Sequence, residues 1–151
     1  MDIATIEADA ARLILPAFDE AAAWKLGAIL YDLAMAGAMP VVINIRSSDR
    51  VLFHVSLPGS SGVNDNWARR KGNVALLFRK ASLQVAMVYE DRGRSLAGDG
   101  VSDADYVLSG GAVPIVVRGA GMVAVATVSG LPQVEDHLLV VKGLGLLLAA
   151  G

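Results

Sequence analysis

The chain has 151 residues, a formal net charge of −2 and no cysteine. That length suggests one domain over residues 1–151, long enough to bury about two thirds of its unfolded surface without a disulfide or metal staple. Without thiols the chain has no cysteine nucleophile, Cys-ligated zinc or iron–sulfur cluster, and its charge gives no general attraction to nucleic acid. The absence of cysteine suits a reducing compartment, and a cytoplasmic location is the expectation. "MDIATIEADAARL" carries acids and no early basic cluster, so it does not read as a secretory signal. Apolar residues make up 54% of the chain, yet no run reaches the ~18 residues of a membrane span. The longest candidate, 138–150, is broken by Lys142, Gly143 and Gly145. So much apolar surface in a soluble chain points to a homo-oligomer.

In chain order, "RLILPAF" (12–18) reads as a short strand, placed at an edge by Pro16, which has no ladder donor. Asp19 caps a helix that runs to about Ala36, with Ala22, Leu26, Ile29, Leu33 and Ala36 in helical register. Gly37 and Pro40 stop it. "VVINIR" (41–46) and "VLFHVSL" (51–57) are rich in β-branched residues and read as a hairpin. Alternation puts Val51, Phe53, Val55 and Leu57 on one face, and Leu52, His54 and Ser56 on the other with Asn44 near His54.

After the loop "PGSSGVND", Asn64 is expected to cap a helix with Asp65 in its first turn. This helix carries Trp67, Val74 and Phe78, and the basic set Arg69, Arg70, Lys71, Arg79 and Lys80. Residues 81–90 favour helix over strand, and the polar connection that follows carries a helical turn near 102–108. Segments 112–118 and 121–129 form a second strand pair turned at Gly119. The last helix runs from about Pro132 to Leu148. It is apolar around most of its circumference, so several of its sides are buried, some against another subunit. The order β-α-β-β-α-(α)-β-β-α favours an α+β layered domain: a mostly antiparallel sheet of about five strands with helices packed on it. A doubly wound parallel sheet would alternate single strands with helices.

The chemistry concentrates in "VSGLPQVEDHLLVV" (128–141). Pro132 suits a first helical turn, and Glu135 and Asp136 suit the positive end of the helix dipole. His137 is the residue this account leaves over. Three consecutive helical residues diverge by about 100° each, so the trio does not hold one ion, and no metal site is expected. Ser129, Asp136 and His137 are the residue types of a hydrolase triad, but no G-x-S-x-G elbow is present. The helix start beside Ser129-Gly130 offers free N–H groups to an anion, and Arg70 and Lys71 would clamp a carboxylate or phosphate there. The alternative is that Arg70 pairs with Asp136 and the glycines serve turns. No P-loop or dinucleotide fingerprint occurs. For haem, His54, His137, Met122 and Tyr89 are the candidate axial ligands. The five basic residues of 64–80, against one acid, read as a solvated face and not as a nucleic-acid site.

Three stretches carry a family resemblance: "GGAVPIVVRGAGMVAVATVSGLPQVEDHLLVV" (110–141), "LPGSSGVNDNWARRKGNVALLFRKASL" (57–83) and "FDEAAAWKLGAIL" (18–30). They resemble the haem-degrading-domain superfamily of GlcG-like and HbpS-like proteins. The likeness is to the branch with a GG-x-x-P strand, a VSGLP turn leading to Asp-His, N-x-x-W-x-x-R-K and F-x-x-x-S-L. One departure is Val63, where that branch carries an acid. The resemblance implies a profilin-like domain, homo-oligomers built from dimers, and relatives that bind haem.

The expectation is therefore an oligomeric domain that binds haem or a small anionic metabolite. Its ligand-binding set is Asn64, Trp67, Arg70, Lys71, Ser129, Gly130, Asp136 and His137. One alternative is an enzyme in the same pocket, with His137 as acid or base and Arg70 as electrostatic stabiliser. The other is a non-catalytic assembly or adaptor protein. Neither a nucleic acid nor a membrane is an expected partner.

Overall fold

The computed structural model describes all residues, Met1–Gly151. Helix α1 (Ile3–Arg12) starts where the Asp2 carboxylate accepts the Thr5 N–H at 2.9 Å. Helix α2 (Glu20–Ala36) starts the same way, with Asp19 accepting the Ala22 N–H at 2.8 Å. Each such cap contributes about 1 kcal/mol by satisfying a donor the helix cannot. Strands β1 (Val42–Arg46) and β2 (Val51–Ser56) form the expected hairpin. Then come α3 (Gly62–Phe78), α4 (Ser82–Asp91), β3 (Ala112–Val117), β4 (Gly121–Ser129) and α5 (Gln133–Ala149).

The sheet has four strands in the order β2-β1-β4-β3, with every neighbouring pair antiparallel. The architecture is the α+β layered domain expected from the element order. The expected fifth strand at 12–18 is reduced to a single parallel bridge between Leu15 and Val117. Leu15 donates to the Val116 carbonyl at 2.9 Å and accepts from the Arg118 N–H at 2.9 Å. Pro16 then supplies no donor, and the ladder stops.

Both faces of the sheet are covered. On one side Ile43, Ile45, Ile115, Ala126 and Val128 pack against Leu26 and Leu30 of α2 and Val140 and Leu144 of α5. Burying a leucine or isoleucine of this kind stabilises the fold by about 1.5–3 kcal/mol. On the other side α3 lies across β1, β3 and β4, with Ala75 against Ala112 and Val125. Arg46 reaches from β1 to Asn73 and to the Arg69 carbonyl of α3.

Three details differ from strict alternation and simple capping. The β1–β2 register shifts between Ile45 and Arg46, so Leu52 joins Phe53 and Val55 against the core, while Val51 is 61% exposed. A one-residue irregularity moves side chains between faces. Helix α3 is capped three residues earlier than expected: Ser61 is the N-cap, and the Asn64 side chain accepts the Ser61 N–H at 3.0 Å. The connection after α4 holds a 3-10 turn at Ala97–Asp99, just before the expected one at 102–108, where residues 103–105 form only a turn. Residues 82–91 are helical, as the apolar pattern favours.

Candidate functional site

Glu135, Asp136 and His137 point three ways from the first turn of α5. Glu135 is exposed, whereas Asp136 and His137 are 0% and 1% exposed. Asp136 has a larger task than balancing a dipole. Its carboxylate accepts the Lys71 ammonium at 2.7 Å, the Leu131 N–H at 3.0 Å and the Gly130 N–H at 3.4 Å. It therefore fills, from within the chain, the anion position expected beside Ser129-Gly130. The pairing partner is Lys71 of α3, not Arg70. Lys71 is buried and also donates to the Val128 carbonyl at 3.2 Å. Burial pulls the Lys71 ammonium below its ordinary range and pushes the Asp136 carboxyl above its own, while their mutual attraction opposes both shifts.

Two glycines beside this pair allow close approaches of the chain, Gly111 to the pair itself and Gly130 to the Pro40–Val41 backbone. Gly111 has φ +135°, and a Cβ there would lie 2.4 Å from the Val128 carbonyl oxygen and 2.9 Å from Lys71 Nζ. Gly130 has φ +148°, and a Cβ there would lie 2.4 Å from the Pro40 carbonyl oxygen.

Beside the pair lies a pocket of about 190 Å³. It unites Asn64, Trp67, Lys71, Ser129, Gly130 and Asp136, six of the eight residues expected from sequence, with Val63 also at its wall. Val63 and Asn64 belong to the first turn of α3, and Trp67 lies one turn on.

Arg70 and His137 are not among its walls. The Arg70 guanidinium donates to the Asp103 carbonyl at 2.6 Å and the Tyr106 carbonyl at 3.5 Å, and it lies 5.2 Å over the Trp67 ring. It ties the 91–109 connection to α3. Arg69 does likewise, reaching Asp105 at 3.0 Å and the Ala104 carbonyl at 2.9 Å. Much of the basic face of α3 is thus used inside the fold.

His137 turns to a separate cavity under α1, and neither of its ring nitrogens has a protein partner. Of the other residues proposed to bind iron, His54 contacts Asn44 through Nδ1 at 3.0 Å and Asp65 through Nε2 at 2.8 Å. Ser56 also donates to that Asp65 oxygen at 3.0 Å. Tyr89 donates to Asp99, and Met122 packs against the small cluster of Ala75, Ala112 and Val125.

Sequence reasoning missed the cavity under α1 because it missed α1. The signal was present: Asp2 as a cap, and Ile3, Ile6, Ala10 and Leu13 at helical spacing.

Burial holds the His137 imidazole below its ordinary value of 6.5, and the Asp9 charge opposes the shift only in part. Between the two values the unfolded chain binds one proton more, so stability rises with pH there. This contribution is complete above about 6.5 and is lost as pH falls toward the lowered value, by at most about 1.4 kcal/mol per pH unit. Urea denaturation from about pH 5 to 7.5 is expected to show a steeper acid-side loss in the wild type than in His137→Leu. Equal slopes would exclude this role. Glu7, Asp9, Arg79 and Lys80 line the same cavity and are common to both proteins.

Comparison with known proteins accords with this architecture. A family model described as "Haem degrading protein HbpS-like" matches residues 18–145. A UPF0303 protein of Mesorhizobium japonicum is 42% identical over 144 residues, covering 95% of this chain and 86% of the relative. The crystal structure of Ybr137w protein superposes with a TM-score of 0.91 at 29% identity, covering 99% of this chain and 90% of that one. A PduOC:heme complex shares the fold, with a TM-score of 0.73 at 18% identity over 85% of this chain and 94% of that one.

Proposed function

The chain belongs to the HbpS-like family of haem-degrading proteins, and from that premise we propose that it is a ligand-binding domain taking a small anionic metabolite or haem. The observation that carries this reading is the state of Lys71. An ammonium group has three N–H donors, and two are used, by Asp136 and the Val128 carbonyl. No third protein acceptor lies at hydrogen-bond distance, and Lys71, although only 2% exposed, lines the pocket. Trp67, 36% exposed and backed by the Arg70 guanidinium, adds a flat face for an apolar or planar body. An anionic group at Lys71 with its body on Trp67 is what this pocket recognises.

Haem is favoured by the family and by the PduOC:heme neighbour. The side chains here do not present a ready axial ligand. His54 has both nitrogens engaged, His137 is enclosed, Tyr89 is bonded to Asp99, and Met122 is packed. Haem in this pocket would be held by its face at Trp67 and its propionates at Lys71, not through iron. The enzyme alternative is weaker, because neither His137 nor Arg70 lines the pocket.

The proposed working form is a cytoplasmic homo-oligomer built from dimers. Trp24 (67% exposed), Tyr31 and Met35 lie along α2, and Leu138 and Leu146 lie on α5. These two helices pack side by side and offer apolar surface for a second copy. No helix is long and apolar enough to cross a membrane.

The test is titration of haemin, and separately of citrate and inorganic phosphate, into the full chain, read by Soret absorbance and tryptophan fluorescence. Trp67→Ala and His54→Ala are run beside the wild type. A saturable response is expected, weakened about tenfold or more by Trp67→Ala, which corresponds to about 1.4 kcal/mol, and unchanged by His54→Ala. No saturable response to any probe, with the oligomer intact, would leave the assembly-protein reading. Haem binding abolished by His54→Ala alone would move the site to the β2 surface.

A further inference from the structure

A second site lies on the other side of α5. Ile6 docks α1 against Ala81 and Leu83 at the start of α4, and Leu13 anchors its far end in the main core. Between these two points is a cavity of about 260 Å³, just below the roughly 300 Å³ of the smaller known ligand pockets. Ile6, Leu13, Val113 and Val141 supply apolar wall. His137, 1% exposed, lines it with both ring nitrogens lacking a protein partner. A buried polar group in that state calls for a guest, a water or a ligand, because native folds rarely leave one unpaired.

The rim gives the guest its charge. Arg79 and Lys80 are exposed cavity residues, and neither takes part in a salt bridge. Of the two acids there, Asp9 is held by Arg12 at 2.9 Å, leaving Glu7. The free charge is therefore mostly positive. A neutral imidazole has one N–H and one lone pair, and a hydroxyl group can accept from the first or donate to the second.

We propose that this cavity binds a small amphipathic hydroxy acid. Its carboxylate sits at Arg79 and Lys80, its apolar body lies among Ile6, Leu13, Val113 and Val141, and its hydroxyl meets His137. This site is distinct from the Trp67 pocket and does not depend on it. Asp136 and His137, adjacent in sequence, serve different pockets because neighbouring helical side chains diverge.

The probe is 4-hydroxyphenylacetate, followed by calorimetry and by the imidazole resonances of His137. Phenylacetate, which lacks the hydroxyl, and tyramine, which carries a cation in place of the carboxylate, are the comparisons. Saturable binding that shifts His137 is expected for 4-hydroxyphenylacetate, with weaker binding of phenylacetate and none of tyramine. His137→Leu and Arg79→Gly should each weaken binding about tenfold, and Trp67→Ala should leave it unchanged. Arg79→Gly keeps the test independent of unfolding. Arg79 ends α3 at φ +58°, a conformation glycine adopts more readily than arginine. No shift of His137 at millimolar probe would overturn the proposal and assign water as its partner. Equal binding of tyramine, binding unaffected by either cavity variant, or binding lost in Trp67→Ala would overturn it as well.

Discussion

Asp136→Ala is expected to cost about 3–5 kcal/mol, the usual effect of removing one partner from a buried ion pair. The carboxylate is fully enclosed, and its loss leaves the Lys71 ammonium, 2% exposed, with a single carbonyl acceptor. The Gly130 and Leu131 N–H groups lose their acceptor at the same time. A domain of this size is typically stable by about 5–15 kcal/mol, so the variant would sit near its folding threshold. Urea denaturation is the measurement, with a lowered midpoint and an unchanged slope as the expected result. The double variant Lys71→Met/Asp136→Leu is expected to recover most of the loss, because two buried charges then no longer need each other. A loss below about 1 kcal/mol in Asp136→Ala would mean that water reaches Lys71 and that the pair is not enclosed.

Gly111→Ala is expected to be comparably damaging, at about 3 kcal/mol or more. Its φ of +135° is strained for any L side chain, and the added methyl would meet a backbone oxygen, that of Val128, at 2.4 Å. That oxygen accepts from Lys71, and Val128 donates to the Gly111 carbonyl at 3.0 Å, so neither strand can yield without disturbing the pair. Gly93→Ala is the control. It also has positive φ, at +60°, but open space around its would-be Cβ, and about 1 kcal/mol is expected there. The two variants separate backbone strain from steric exclusion. Equal losses in a thermal or urea unfolding experiment would show that the close approach at Gly111 is not limiting.

These two effects mark where sequence reasoning was strong and where it stopped. It placed Lys71, Ser129, Gly130 and Asp136 in one expected ligand-binding set. It did not foresee that the carboxylate would turn back on the N–H groups ahead of its own helix. The placement of Asp136 in a first turn admits both an exposed acid near the dipole and an enclosed one, because local pattern carries no burial. For the same reason Arg70 and Lys71 were interchangeable candidates. They are consecutive on α3, so helix geometry sends one inward to Asp136 and the other outward over Trp67. Which one goes inward depends on how α3 is rotated against the sheet.

The sequence by itself determined the α+β class, the two hairpins, α2, α4, α5 and most of the pocket membership. Those features are local: cap residues, β-branched runs, helical spacing and glycine–proline stops act over a few residues. Only the tertiary structure decided that Lys71 pairs with Asp136, 65 positions away in the chain, and that His137 faces a cavity under α1. It also decided that 12–18 contributes one bridge to a four-stranded sheet and not a fifth strand. The physical reason is common to all three. The partner of a buried polar group and the length of an edge strand depend on which surfaces meet, and that is settled by packing among distant segments.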